Sequence, residues 1–142
     1  MNVPGADWPD PSDPGPRTGP RSRKGLEPRV PPHNIEAEAS VLGAMLLTRD
    51  AIADALEVVR AEHFYKPSHA HVFDAVCGLY AAGEPADPVT VAEALARADL
   101  LDAIGGPGTL LELQATTPAT SSAGKYARIV QEHATLRSLI GA

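Results

Sequence analysis

The fold is decided in the stretch Val30-Pro31-Pro32-His33-Asn34-Ile35-Glu36-Ala37-Glu38-Ala39-Ser40-Val41-Leu42-Gly43-Ala44-Met45-Leu46. Pro31 and Pro32 block any earlier helix, and Asn34 is a good N-cap because its side-chain oxygen can accept from a free amide of the first turn. Glu36 and Glu38 follow in that first turn, where the helix dipole favours anions. Ile35, Ala39, Leu42 and Leu46 then recur at i, i+4, i+7 and i+11, which is one apolar face of an α-helix.

Before this stretch the composition is different. Residues 1–29 hold seven prolines and four glycines and almost no aliphatic residues. Such a segment buries too little apolar surface to offset chain entropy, so it reads as a disordered arm. It carries Arg17, Arg21, Arg23, Lys24 and Arg29 against Asp7, Asp10, Asp13 and Glu27, a balance of +1. The whole chain is −6, which leaves −7 on residues 30–142. A folded part this acidic does not grip phosphate backbones by itself. The basic residues of the arm could touch nucleic acid, but a solvated linker is the reading the composition favours.

After the first helix, further helical signals follow at short intervals. Asp50 opens a second helix with a stripe of Ile52, Leu56 and Val59. Phe64-Tyr65-Lys66-Pro67 connects it to a third, from about Ser68 to Ala82, with Val72, Val76 and Leu79 inward and Gly83 placed to end it. Thr90-Val91-Ala92-Glu93 fits a capping box for the fourth helix, with Asp87-Pro88 as an alternative start three residues earlier. Leu95 and Ala98 continue its apolar face. Gly105-Gly106-Pro107-Gly108 is a turn, and a short fifth helix spans about Thr109 to Ala115 on Leu110, Leu111 and Leu113.

The sixth helix opens near Ser121 or Ser122. In it Tyr126, Ile129, His133, Leu136 and Ile140 are spaced 3, 4, 3 and 4, a heptad-like stripe suited to another helix. These five are the candidate partner-binding residues, with packing onto the domain's own helices as the alternative. The stripe is still running at Ala142, which reads as a truncated helix or one that ends at a partner. No strand pattern appears. The expected fold is all-α, a compact bundle of six helices over residues 30–142 behind the arm of residues 1–29.

Catalytic patterns fail one by one. A phosphate-binding loop needs glycines around the phosphates and Lys-Ser/Thr at its end. The nearest stretch, Ala119-Thr120-Ser121-Ser122-Ala123-Gly124-Lys125-Tyr126, has alanine for the first glycine and tyrosine for Ser/Thr, and it reads as the start of the sixth helix. His63, His69, His71 and Cys77 lack the spacing of a zinc site, since His69 and His71 point in different directions on a helix. Cys77, the only cysteine, excludes an intrachain disulfide and fits a reducing compartment such as the cytosol. It reads as a small filler rather than a nucleophile. The carboxylates form no recognisable pair, and most read as solvated faces. No apolar run nears the roughly 20 residues of a membrane span. No catalytic, cofactor or metal residue is expected.

Seven collinear segments carry a resemblance. They are residues 30–38, the contiguous run 40–46, Phe64-Tyr65 with His69 to Phe73, Gly83 to Thr90, Gly105-Gly106, Thr117-Pro118, and Tyr126 to Glu132. Together they resemble the N-terminal domain of DnaB-type replicative helicases, over residues 30–142. The resemblance implies a globular helical head that continues, in the family, into a hairpin, a linker and a motor that hydrolyses ATP with magnesium and moves along one DNA strand. It implies head pairs forming the collar of a hexameric ring, with primase and a helicase loader as partners and a bacterial cytoplasmic setting. DNA is then held by the whole ring and not strongly by this domain. The chain itself has no motor, so ATP and magnesium are expected only in that separate domain. Some relatives carry a large apolar residue after the Gly-Gly pair where this chain has Pro107. The alternative is a free-standing regulator that copies the helicase head and has no enzymatic activity.

Overall fold

The computed structural model describes residues 30–141, and their helices lie in a unit that begins at Pro32. The arm expected over residues 1–29 lies outside the described residues. Six α-helices follow one another, with no strand among the described residues. They are α1 (Ile35–Leu47), α2 (Arg49–Leu56), α3 (Pro67–Ala81), α4 (Pro88–Arg97), α5 (Gly108–Ala115) and α6 (Ala123–Gly141). Single 3₁₀ turns at Ala61–His63, Asp102–Ile104 and Thr120–Ser122 lead into α3, α5 and α6.

The start of α1 matches the reading of its sequence. Asn34 Oδ1 accepts from the Ala37 amide at 2.9 Å. The single apolar face expected of α1 is too narrow, however. Nine of its residues, Ala37, Glu38 and Ser40 to Leu46, are buried. Helices α2, α3, α5 and α6 all pack on it, so it is the axis of the bundle. Gly43 shows how closely they approach. A Cβ there would overlap Thr117 Oγ1 and the Leu113 carbonyl at the end of α5.

Two helix ends use left-handed residues. Gly83 (φ 75°) follows α3, with Glu84 N–H donating to Leu79 O and Gly83 N–H to Tyr80 O. That double closure is the Schellman motif. Asp99 (φ 61°) repeats it after α4, with Leu100 N–H on Leu95 O and Asp99 N–H on Ala96 O. Short Asp side chains tolerate this region better than most.

Helix α4 takes the earlier of the two starts offered by its sequence, Asp87-Pro88. The capping box is Asp87 with Thr90, not Thr90 with Glu93. Asp87 Oδ1 accepts from the Thr90 amide and Thr90 Oγ1 accepts from the Asp87 amide, both at 2.9 Å. Pro88 fills the first helical position, where no amide hydrogen is needed. Helix α2 likewise starts one residue early, capped by Thr48 Oγ1 on the Ala51 amide. Leu56, Ala98 and Leu111, expected inside, are exposed. Ile52, Val59, Val72, Val76, Leu79, Leu95, Leu110 and Leu113 are buried as expected.

Candidate partner-docking face

Helix α6 presents two parallel lines of residues. Ala123, Ala127 and Val130 are buried, and Ala123 joins Ala44 and Ala51 in a cluster of small side chains. The stripe of Tyr126, Ile129, His133, Leu136 and Ile140 lies roughly a quarter turn around the helix from that line. Its two ends differ. Tyr126 and Ile129 are half-buried and pack on the main core. His133 is half-buried, with Nδ1 2.9 Å from the Ile129 carbonyl of its own helix. Leu136 is 47 % exposed and Ile140 68 %, and Leu139 beside them is 72 % exposed. The stripe therefore starts as domain core and ends as open apolar surface.

Sequence reading missed two residues that organise this side of the molecule. Arg137 donates from Nη1 to the Pro32 carbonyl at 2.8 Å and from Nη2 to the His63 carbonyl at 2.6 Å. Its guanidinium lies 5.4 Å from the centre of the Tyr65 ring, and that ring stacks on His33 at 4.0 Å. Tyr65 is thus the wet half of the Phe64-Tyr65 pair, and Phe64 is the anchor, buried against Phe73.

The second is Glu38, which is 1 % exposed and no solvated carboxylate. Its Oε2 accepts from the Tyr65 amide at 2.7 Å, and its Oε1 from the Lys66 amide at 3.4 Å and from His69 Nδ1 at 2.8 Å. An ionised carboxylate only accepts, so His69 Nδ1 carries the hydrogen. Lys66 caps α3 without a side-chain bond, and Glu38 supplies from α1 the negative charge that the N-terminus of α3 favours. Burial pushes its pKa up, but the bonds from His69, Tyr65 and Lys66 outweigh this and hold it below the usual carboxylate range. One signal was present in the sequence. Glu38 stands three, four and seven residues before Val41, Leu42 and Met45, in the phase of a buried line.

His63 Nδ1 accepts from the Arg60 amide, and His71 lines a groove between α3 and α4. Burial, with Asp74 nearby, pushes the half-buried Cys77 thiol up to about 11, so it stays protonated near neutrality. Gly124 and Lys125 lie in the first turn of α6 after a 3₁₀ turn, and the half-buried Tyr126 stands where a magnesium-binding hydroxyl would be needed. A cleft of about 500 Å³ between the α1–α2 corner and the Gly83–Asp87 connection has three polar side chains in its wall, Thr48, Arg49 and Asp87. Thr48 and Asp87 cap helices, and Arg49 bonds the Glu84 carbonyl at 3.2 Å and covers the Tyr80 ring. No described helix is long and apolar enough to cross a membrane.

The sequence matches the family model of the DnaB-like helicase N-terminal domain over residues 30–132. The chain belongs to that family. It is 54 % identical over 114 residues to the replicative DNA helicase DnaB of Mycobacterium leprae, covering 80 % of this chain and 19 % of the relative. The chain thus spans about a fifth of that relative's length. Among solved structures, the N-terminal domain of DnaB helicase from Mycobacterium tuberculosis superposes with a TM-score of 0.78 at 53 % identity, covering 79 % of this chain and 81 % of that one. A DnaB-like replicative helicase, solved with its interactions with primase, matches at TM-score 0.64 and 28 % identity over 76 % of this chain and 25 % of its own. The expected DnaB-type head is therefore the family and fold of this chain.

Proposed function

We propose that this chain is the assembly and docking head of a hexameric replicative DNA helicase. In this reading it pairs with other heads to form the collar of the ring and helps bind primase, with a helicase loader as a further contact. The observation that carries it is the superposition, at 53 % identity, on an isolated DnaB N-terminal domain of nearly the same extent. The primase contact is supported by the DnaB-like helicase solved with its interactions with primase. Unwinding then belongs to a motor domain that would hold ATP and magnesium. DNA passes through the ring as a whole, in keeping with a net charge of −7 on residues 30–142. The site of action is then the replication fork in the bacterial cytoplasm.

The contact residues in this proposal are Tyr126, Ile129, His133, Leu136 and Ile140. Leu136 and Ile140, with Leu139, are the part left open to a partner, while Tyr126 and Ile129 support it from the core. Light scattering over a concentration series, with a pull-down by the primase of the same organism, tests this. Self-association or primase capture should weaken in a Leu136→Ser, Ile140→Ser variant that keeps the wild-type melting temperature. A chain that stays monomeric at the highest concentration and captures no primase would refute the proposal.

A further inference from the structure

The two halves of α6 are attached to the domain by different physics. From Ala123 to Val130 the attachment is apolar and buried. From Gln131 to Ile140 no residue is buried. That second half is tied down by Gln131 Nε2 on the Val58 carbonyl at 3.1 Å and by Arg137. Arg137 stands on the core-facing line itself, which runs through 123, 127, 130, 134 and 137 in alternating steps of four and three. An aliphatic residue there would extend the core. An arginine instead reaches past the helix to two backbone carbonyls and an aromatic ring.

The partners of Arg137 come from distant parts of the chain. Pro32 lies 105 residues away and opens the folded unit, and His63 lies 74 residues away in the turn before α3. Tyr65, which stacks on His33, completes the seat. One guanidinium thus joins the entry of the domain, the α2–α3 connection and the last turns of α6. A helix stretch with no fully buried residue opens locally at lower cost than the core does. Gly141, Ser138, Thr135 and His133 also add little intrinsic helicity.

We propose that Arg137 is a latch, and that the arm formed by residues 131–141 switches between a docked helix and a locally released one. The exposed Leu136, Leu139 and Ile140 ride on this arm, so the latch determines when they form an ordered face. The same geometry couples the arm to Pro32-His33. A change at the entry of the domain is then felt at the end of α6. The latch is a property of the chain alone and stands whether or not the domain assembles.

Hydrogen–deuterium exchange on the 142-residue chain, read peptide by peptide, tests it. Arg137→Ala should speed exchange across residues 131–141 by about tenfold or more and leave α1 and α3 unchanged. Tyr65→Leu should act in the same direction and less strongly, and Leu136→Ala should have little effect. The latch is overturned by unchanged exchange of the arm in Arg137→Ala. It is also overturned by an equal increase in α1 and α3, or by a wild-type arm that already exchanges at the unprotected rate. If Arg137→Ala does not fold, Arg137→Lys keeps the charge and loses the two-pronged geometry. It must then loosen the arm alone, and an arm as protected as the wild type refutes the proposal.

Discussion

Replacing Glu38 with glutamine keeps the volume of a buried side chain and removes its charge. In the wild type, Oε2 accepts from Tyr65 N–H at 2.7 Å and Oε1 from His69 Nδ1 at 2.8 Å, with Lys66 N–H on Oε1 at a longer 3.4 Å. Glutamine can keep its oxygen on the Tyr65 amide. Its NH₂ then takes the place of Oε1, where it faces the Lys66 amide donor to donor. His69 must switch tautomer to accept from it. Hydrogen bonds to a charged group contribute about 1.5–3 kcal/mol each, against about 0.5–1.5 kcal/mol for neutral ones. Two bonds lose their charge and the third is lost, so Glu38→Gln should cost about 2–3 kcal/mol. Glu38→Ala, which strips all three donors, should cost about 3–5 kcal/mol.

For a folded part of this size, each kcal/mol moves the melting temperature by about 3–5 °C, so the glutamine variant should melt about 6–15 °C lower. Urea unfolding followed by circular dichroism gives the free energy directly. The pH dependence supplies a second check. The folded pKa of Glu38 lies below its unfolded value. The stabilisation is therefore complete above the unfolded carboxylate range, about pH 4.3, and is lost as pH falls through the folded pKa. The gap between wild type and Glu38→Gln should stay flat from neutrality down to that range and close below it. A neutral-pH loss under about 0.5 kcal/mol, or a gap that does not close in acid, would show that Glu38 does not hold α1 to the start of α3.

Further outcomes follow from single residues. Gly43→Ala would gain about 1 kcal/mol of helix propensity on an open surface, but overlap with the Leu113 carbonyl and Thr117 should turn this into a net loss of about 2 kcal/mol or more by urea unfolding. Asp87→Ala should cost about 1 kcal/mol and Glu93→Ala less than about 0.5 kcal/mol, and the reverse order would restore the later start of α4. Leu46→Ala should cost roughly 2–5 kcal/mol, and near-neutrality would mean that the end of α1 is not core. With its thiol pushed up to about 11, Cys77 should react with an aromatic disulfide about tenfold or more slowly in the folded chain than in urea.

Helix starts and stops were legible where donor and acceptor lie within a few residues. The Asn34 cap, the turn at Gly105-Gly106 and the left-handed Gly83 are of this kind. Where two local solutions overlap, the choice is made elsewhere. Asp87–Thr90 and Thr90–Glu93 are both good boxes. The earlier one wins because it adds Pro88 at the position that needs no amide and carries the helix one turn further. Glu38 was hidden for a different reason. Its donors lie 27 to 31 residues away, and a search for apolar periodicity passes over a carboxylate even in the phase of Val41, Leu42 and Met45.

Helix α6 shows the deepest limit and also its use. Steps of three and four fit two parallel lines on this helix, one through Ala123, Ala127 and Val130 and one through Tyr126, Ile129, His133, Leu136 and Ile140. By apolarity alone the second line is the stronger, and it was the one singled out from the sequence. The core takes the first: Ala123 packs against Ala44 of α1 and Ala51 of α2, and Ala127 and Val130 join the main cluster, where bulkier residues on this line would hold the helices apart. The larger side chains are therefore displaced toward the flank. Ile129 still reaches the core from that position, but Leu136 and Ile140, beyond the last buried residue, cannot. Their exposure is a consequence of close packing earlier in the same helix. The core that forms around α1 thus determines which residues of α6 are left exposed.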